Sequence, residues 1–144
     1  MKRNRGFTLL ELLLVVAIVA IVSGGVSLAL RDSGQSALER DGQRLAALLE
    51  SARARSQASG VPVMWRSLPT GFAFDGLAPG SVQHRWLSDE VSAPGANVLS
   101  LGPEPIIAPQ RVILVSGGVA SRRLMVTSDG VRPFSVRNVS AEGP

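Results

Sequence analysis

The N-terminal part of the chain is a nearly unbroken apolar stretch. Nineteen consecutive positions between Glu11 and Arg31 carry no charge, about the length that a helix needs to cross a bilayer core of ~30 Å. Three basic residues, Lys2, Arg3 and Arg5, come before this stretch. Because no other part of the sequence has a comparable run, the pattern predicts at most one membrane-spanning helix.

Beyond residue 30 the pattern becomes that of an amphipathic helix, with apolar residues at intervals of three, four and seven positions. The apolar set is Leu38, Leu45, Leu48, Leu49 and Ala52. The charged set, expected on the other faces, is Glu39, Arg40, Asp41, Arg44, Glu50 and Arg53. Gly60 favours a helix end and Pro62 prevents continuation, so the helix is predicted to end near Ser59.

From residue 61 onward the pattern favours short strands. The runs 61–66 and 71–76 flank a Pro-Thr-Gly turn and predict a hairpin. Further β-rich runs occupy residues 82–87, 111–116, 122–127 and 132–138, with a tight turn expected at 128–131. Four prolines between residues 88 and 110 predict a long irregular connection. The expected fold class is α+β, with a long N-terminal helix packed on a small antiparallel β-sheet domain.

Composition narrows the range of functions. The formal charge is +4, from 15 basic and 11 acidic residues. Without Lys2, Arg3 and Arg5, twelve basic residues would face eleven acidic ones, so the net charge is weak support for a nucleic-acid partner. The chain contains no cysteine, which excludes disulfides and thiol chemistry.

The apolar stretch has two ordinary explanations. A secretory signal has an apolar region of about 7–15 residues and a small-residue cleavage site, whereas this run is longer and offers only Ser23-Gly24-Gly25. An uncleaved anchor fits better, and the basic residues before it place the N-terminus in the cytoplasm. Neither explains Glu11, because a carboxylate costs roughly 2.5–3.5 kcal/mol at the bilayer centre. At headgroup depth this residue would simply be tolerated.

The residues around Glu11 resemble the class III signal of type IV pilins and type II secretion pseudopilins. The matching run is Arg5-Gly6-Phe7-Thr8-Leu9-Leu10-Glu11, followed by the apolar helix. The resemblance implies that a prepilin peptidase cuts between Gly6 and Phe7 on the cytoplasmic face and methylates the new amine of Phe7. The implied organisation is a leader (1–6), a transmembrane and assembly half of the helix (7–30), its amphipathic half (31–59) and a periplasmic β-rich domain (60–144).

Cleavage at this position would give Glu11 a role in assembly. In a chain that begins at Phe7, the terminal amine and the carboxylate are four residues apart and lie on one face of the helix. Each charge alone is costly in lipid, and pairing them reduces that cost. We therefore expect Glu11 of an incoming subunit to pair with the Phe7 amine of its neighbour and to set the axial register.

The C-terminal half is similar to H-type minor pseudopilins, the GspH/FimT family. The matching segments are 44–63, 71–74 and 128–136. The last resembles the family's F-x-P-D-G-x-x-x-P-F ending, although Ser128 stands where proline often precedes the aspartate. The resemblance implies a pilin-like fold.

The function implied is that of a minor pseudopilin in the tip complex of the type II secretion pseudopilus. The implied partners are other minor and major pseudopilins, the prepilin peptidase/methyltransferase and the inner membrane. One alternative is a minor pilin of a type IV pilus or DNA-uptake machine. Another is a single-span periplasmic binding domain with no filament role.

No enzyme activity, cofactor or metal is expected. His84 is the only histidine and no G-x-S-x-G motif accompanies it, so ring packing beside Trp86 is the expected explanation. Asp75 and Asp129 are single acids in turns, whereas calcium takes about six to eight oxygen ligands.

The last hairpin carries a candidate basic patch, made of Arg122, Arg123, Arg132 and Arg137. A solvated face is the expected explanation, and nucleic acid is not an expected partner. The alternative is DNA capture, because clustered arginines bind phosphates in a salt-dependent way.

Overall fold

The structure is a computed structural model that describes residues 8–80, 84–117 and 122–139, with the side chains of 24–33 excluded. The chain divides into two compact units, residues 1–33 and 34–144. One helix, α1 (Leu9–Ser59), begins in the first unit and continues into the second. The expectations for Gly6 and Phe7 lie outside the described residues.

In the second unit α1 buries one face, as its periodicity predicts. Leu38, Leu45, Leu49 and Ala52 are at most 3% exposed. The helix ends at Ser59, and the next residue, a glycine, has a φ of 70°. This left-handed conformation is favourable for glycine, and it is the usual way to end a helix. The predicted helix end is therefore confirmed.

The remaining chain forms seven strands in two antiparallel sheets. A three-stranded sheet has the order β2-β1-β4, and a four-stranded sheet has the order β3-β5-β6-β7. The strands are β1 (Met64–Leu68), β2 (Gly71–Asp75), β3 (Val91–Ser92), β4 (Val98–Ser100), β5 (Gln110–Ser116), β6 (Arg122–Ser128) and β7 (Ser135–Asn138). The predicted α+β class, with a helix packed on antiparallel sheets, is confirmed.

Both sheets direct alternate side chains into one core against α1. Trp65, Phe72 and Leu99 enter it from the three-stranded sheet, and Leu114 and Leu124 from the four-stranded sheet. All five are at most 4% exposed. Because each strand has only one buried face, the period-two alternation of the sequence fixes which side chains are left outside.

Four of the predicted strands form close to their expected positions. The hairpin of 61–66 and 71–76 is β1 and β2, with Trp65 opposite Phe74. The runs 111–116 and 122–127 are β5 and β6, paired along their full length.

Three expectations about the loops are wrong. Residues 84–87, the described part of the run 82–87, are not a strand. Residues 88–110 are not irregular throughout, because they contain β3 and β4. β7 begins at Ser135, later than expected, because Pro133 has no N–H to donate and residues 129–132 form a turn around Asp129. The connection from β6 to β7 is thus longer than the tight turn predicted at 128–131.

Two charged residues of α1 bind the loop that follows β2. Asp41 is only 1% exposed, and its carboxylate accepts hydrogen bonds from the N–H groups of Leu87 at 2.8 Å and Ser88 at 3.2 Å. Arg44 donates to the carbonyl of Arg85 at 2.7 Å. These bonds hold residues 85–88 against the helix without a strand, which is why the strand prediction fails there.

Arg53 joins α1 to two further loops. It is 4% exposed and donates to the carbonyls of Pro105 at 2.8 Å and Gly130 at 2.7 Å. Gly130 has a φ of 91°, and an added Cβ would collide with the carbonyl of Ile107, so this contact requires glycine. The expectation that Asp41 and Arg53 lie on the polar faces of the helix is wrong, since both lie on its buried stripe.

Candidate functional site

The first candidate site is the start of α1, where Thr8 caps the helix. The Thr8 hydroxyl accepts a hydrogen bond from the Glu11 N–H at 3.3 Å, and its carbonyl accepts one from the Leu12 N–H at 3.2 Å. Threonine followed three residues later by glutamate is the capping-box pattern. A carboxylate in the first turn is also favoured by the helix dipole. The local sequence therefore starts the helix directly after residue 8.

Apart from Glu11 in its first turn, the segment that follows is apolar on every side. Eleven large aliphatic side chains between Leu9 and Val22 are 47–76% exposed. A helix of this kind is stable when other apolar groups cover it, so the segment requires a partner surface. Among the residues described here, no helical stretch is both long and apolar enough to cross a bilayer.

Glu11 is exposed in the first turn of α1. Its carboxylate is therefore available to a group outside this chain. The pairing with a neighbour's Phe7 amine, the cut after Gly6 and the methylation of Phe7 remain predictions.

The second candidate site is the outward face of the four-stranded sheet, where two of the four predicted arginines meet. Arg123 on β6 is exposed, as is Arg137 on β7. Met125 pairs with Arg137 and lies two residues from Arg123 along β6, so the two arginines share the face opposite the core.

The other two arginines lie elsewhere. Arg122 is half-buried, and its guanidinium donates to the side-chain oxygen of Gln35 on α1. Arg132 lies in the turn after β6, at the far end of that strand from Arg123, and its guanidinium is 3.7 Å from the Asp129 carboxylate. The hairpin therefore does not gather all four arginines on one surface.

Arg111 is a third arginine on the outward face that the sequence analysis did not consider. It lies on β5 with Ile113 and Val115 on the same side, and Val115 pairs with Arg123. These four residues, with Pro94 and Asn97, line a shallow depression of about 270 Å³. The strict alternation of β5 places Arg111 on the outward face, and the register of β5 with β6 places it on the same surface as Arg123.

The remaining sequence candidates have structural partners. The ring of His84 lies 6.4 Å from that of Phe72, which also contacts Trp86 at 4.8 Å. Asp75 forms an ion pair with Arg66 at 2.8 Å. Within the described part of the chain, no group of three or more His, Cys, Asp or Glu residues is placed to hold a metal ion.

The turn after β6 yields a prediction about pH. The pKa of Asp129 lies below its usual 3.8, chiefly because the main-chain N–H groups of Arg132 and Val131 donate to the carboxylate at 2.7 and 3.0 Å. The stabilisation from the ionised carboxylate should be present above the unfolded-state pKa and lost as the pH falls through the lower folded-state pKa. A carboxyl-carbon NMR titration should find the low pKa largely retained in Arg132→Ala, because the main-chain donors remain. An Asp129 pKa of 3.8 or higher in the native protein would contradict this explanation.

The capped apolar helix and the antiparallel sheets packed on its second half form an α+β arrangement that is consistent with a pilin-like fold. Residues 1–27 match the prokaryotic N-terminal methylation motif, which confirms the resemblance inferred from residues 5–11. The chain is also similar to "Type II secretion system protein H" of Escherichia coli (strain K12). The two are 29% identical over 145 residues, covering 90% of this chain and 85% of that protein. No solved structure gives a significant match.

Proposed function

We propose that this protein is a minor pseudopilin of a type II secretion system, a non-enzymatic subunit of the periplasmic pseudopilus. The observation that carries the proposal is the exposed apolar segment between Leu9 and Val22, which needs other apolar surfaces to cover it. Such a segment, within the residues that match a methylation motif, suits a subunit that is stored in a membrane and buried in a filament. The similarity to "Type II secretion system protein H" favours the secretion machine over a type IV pilus or DNA-uptake machine.

The proposed location follows from the N-terminal sequence. The uncharged run between Glu11 and Arg31 would anchor the chain in the inner membrane before assembly. The basic residues at positions 2, 3 and 5 keep the N-terminus in the cytoplasm, so the β-rich domain faces the periplasm. Partners would be other minor and major pseudopilins, and the position proposed for this subunit is the tip complex.

Maturation of the N-terminus is the first test of the proposal. Intact-mass analysis of the protein purified from its own membranes should find a chain that begins at Phe7 and carries one added methyl group. Gly6→Val should keep residues 1–6 attached, because a branched side chain next to the scissile bond obstructs a narrow active site. Gly34→Val is the matched control, since a Cβ there has no atom within 4 Å. A native chain that still begins at Met1 would refute the pilin-like role.

The kind of machine is tested in a strain that lacks the protein. Deletion should stop export of folded proteins across the outer membrane, and the intact chain should restore it. Normal export combined with loss of DNA uptake or twitching would favour the pilus alternative.

A further inference from the structure

The outward face of the four-stranded sheet carries positive charge that nothing in the described chain neutralises. Arg111, Arg123 and Arg137 point away from the core and have no acidic or hydrogen-bonding side-chain partner among the described residues. No acidic side chain lies among the outward residues of these strands. On the outward face of the other sheet, by contrast, Arg66 is paired with Asp75 at 2.8 Å.

Between two of these arginines the surface is apolar and concave. Ile113 and Val115 line the depression that Arg111 and Arg123 border, and Ile113 is 37% exposed. Arg111 lies four positions before Val115, the partner of Arg123. At ~3.3 Å per residue, the two guanidinium groups are anchored roughly 13 Å apart along the strands.

One wall of the depression is held in place by β1. The main-chain N–H of Asn97 donates to the Ser67 hydroxyl at 3.1 Å, and that hydroxyl donates to the carbonyl of Gly95 at 2.6 Å. The Asn97 side chain in turn donates to the carbonyl of Pro94 at 2.8 Å. The loop that carries Pro94 and Asn97 is thus fixed from both sides, and the depression is preformed.

We infer that this depression binds an extended acidic segment of another polypeptide, with carboxylates at positions one and five and an aliphatic side chain at position three. In an extended chain those positions lie on one face and span roughly 13 Å, which matches the spacing of Arg111 and Arg123. The central side chain would cover Ile113 and Val115. This site belongs to the β-rich domain and does not depend on the assembly role proposed for the helix.

The surface suits a polypeptide better than a nucleic acid. Nucleic-acid surfaces track a continuous line of phosphates and, for single strands, supply aromatic rings on which bases stack. Here Ile113, Val115 and Met125 separate the arginines, and the outward residues of the described strands include no aromatic ring. The apolar floor would leave phosphates without partners.

The test uses the full-length protein in a zwitterionic detergent and the synthetic peptide acetyl-Glu-Thr-Val-Thr-Glu-amide. Titration should produce saturable changes in the NMR amide signals of β5 and β6. Arg111→Glu/Arg123→Glu should raise the Kd at least about tenfold, and added salt should weaken native binding because the charges lie at a rim. Ile113→Ser should also weaken binding while leaving both arginines in place.

Matched controls separate this site from general attraction to a basic protein. Arg55→Glu/Arg85→Glu changes the net charge equally at exposed positions outside the depression and should leave the Kd unchanged. An equal loss of affinity for the peptide in both double variants would overturn the inference. Equally tight binding of a control peptide with lysines in place of the two glutamates would overturn it as well. Binding of a duplex oligonucleotide through Arg111 and Arg123 without peptide binding would assign the surface to nucleic acid instead. Each outcome is independent of whether Phe7 is methylated or secretion requires the chain.

Discussion

Replacing Glu11 with alanine is expected to prevent incorporation of the subunit into a filament while leaving its processing and its level in the membrane unchanged. The carboxylate is exposed, in the first turn of α1, and its proposed partner is the Phe7 amine of a neighbouring subunit. Removing one member of a desolvated ion pair leaves the other unpaired, at a cost of about 3–5 kcal/mol. Incorporation should therefore fall at least about tenfold. It can be measured by shearing the filaments and cross-linking their subunits with a reagent that does not require cysteine.

Two further variants separate pairing from other effects of this substitution. Thr8→Ala removes the hydroxyl that caps the helix and retains the carboxylate, so it should assemble much better than Glu11→Ala. Glu90→Ala removes an exposed carboxylate from the β-rich domain and should assemble like the native chain. Normal assembly of Glu11→Ala would refute the pairing, and equal defects in Thr8→Ala and Glu11→Ala would assign the effect to the helix cap.

Replacing Arg53 with alanine is expected to destabilise the β-rich domain by about 1–3 kcal/mol for each of the two loop carbonyls that it leaves without a donor. The guanidinium is 4% exposed and donates to two loop carbonyls, at 2.8 and 2.7 Å. Alanine would leave both oxygens without this donor and open a cavity beside them. The free energy of unfolding, from urea titrations of the full-length protein in detergent, measures the loss.

Arg55→Ala is the matched control for this prediction. Arg55 lies two residues further along α1 and is exposed, so its replacement should change the free energy of unfolding by less than about 0.5 kcal/mol. Arg53→Lys should be intermediate, because a single ammonium cannot reproduce the planar fork that serves both carbonyls. A decrease of less than about 1 kcal/mol in the free energy of unfolding of Arg53→Ala would contradict the prediction. It would show that desolvating the guanidinium costs nearly as much free energy as its hydrogen bonds contribute.

Much of the fold can be predicted from the sequence because the signals for it are local. The end of α1 depends on Gly60 and Pro62, and the β1–β2 hairpin depends on two alternating runs around a short turn. Glu11 is singled out for the same reason, since a charge within an apolar run is visible without any tertiary information, and its role in assembly stays a prediction.

Local sequence patterns do not predict the structure where distant residues determine it. Alternation in residues 84–87 resembles a strand, but Asp41 binds their main chain from a helix more than forty positions earlier. Asp41 lies three residues after Leu38 and four before Leu45, so the helical period already placed it on the buried stripe. A charged residue on such a stripe can be buried when main-chain N–H groups donate to it, as they do to Asp41.

The basic surface cannot be predicted from the sequence of one hairpin. Arg122 and Arg123 are adjacent in sequence, yet neighbouring strand residues face opposite sides, and only Arg123 is outward. Arg111 joins it from β5 through the register of the sheet, which pairs Val115 with Arg123. Strand register is a long-range property, and proximity along the chain did not reveal it.

The loops bound to α1 are held through their main chain, so their side chains are free to change. Asp41, Arg44 and Arg53 bind main-chain N–H and C=O groups. Every residue type has both groups, except that proline has no N–H. The side chains of Arg85, Leu87, Ile106 and Val131 remain exposed beside those bonds. These exposed positions can therefore vary while the loop paths are kept, provided that glycine is retained at position 130. This end of the domain is suited to diversification and to the engineering of new binding specificities.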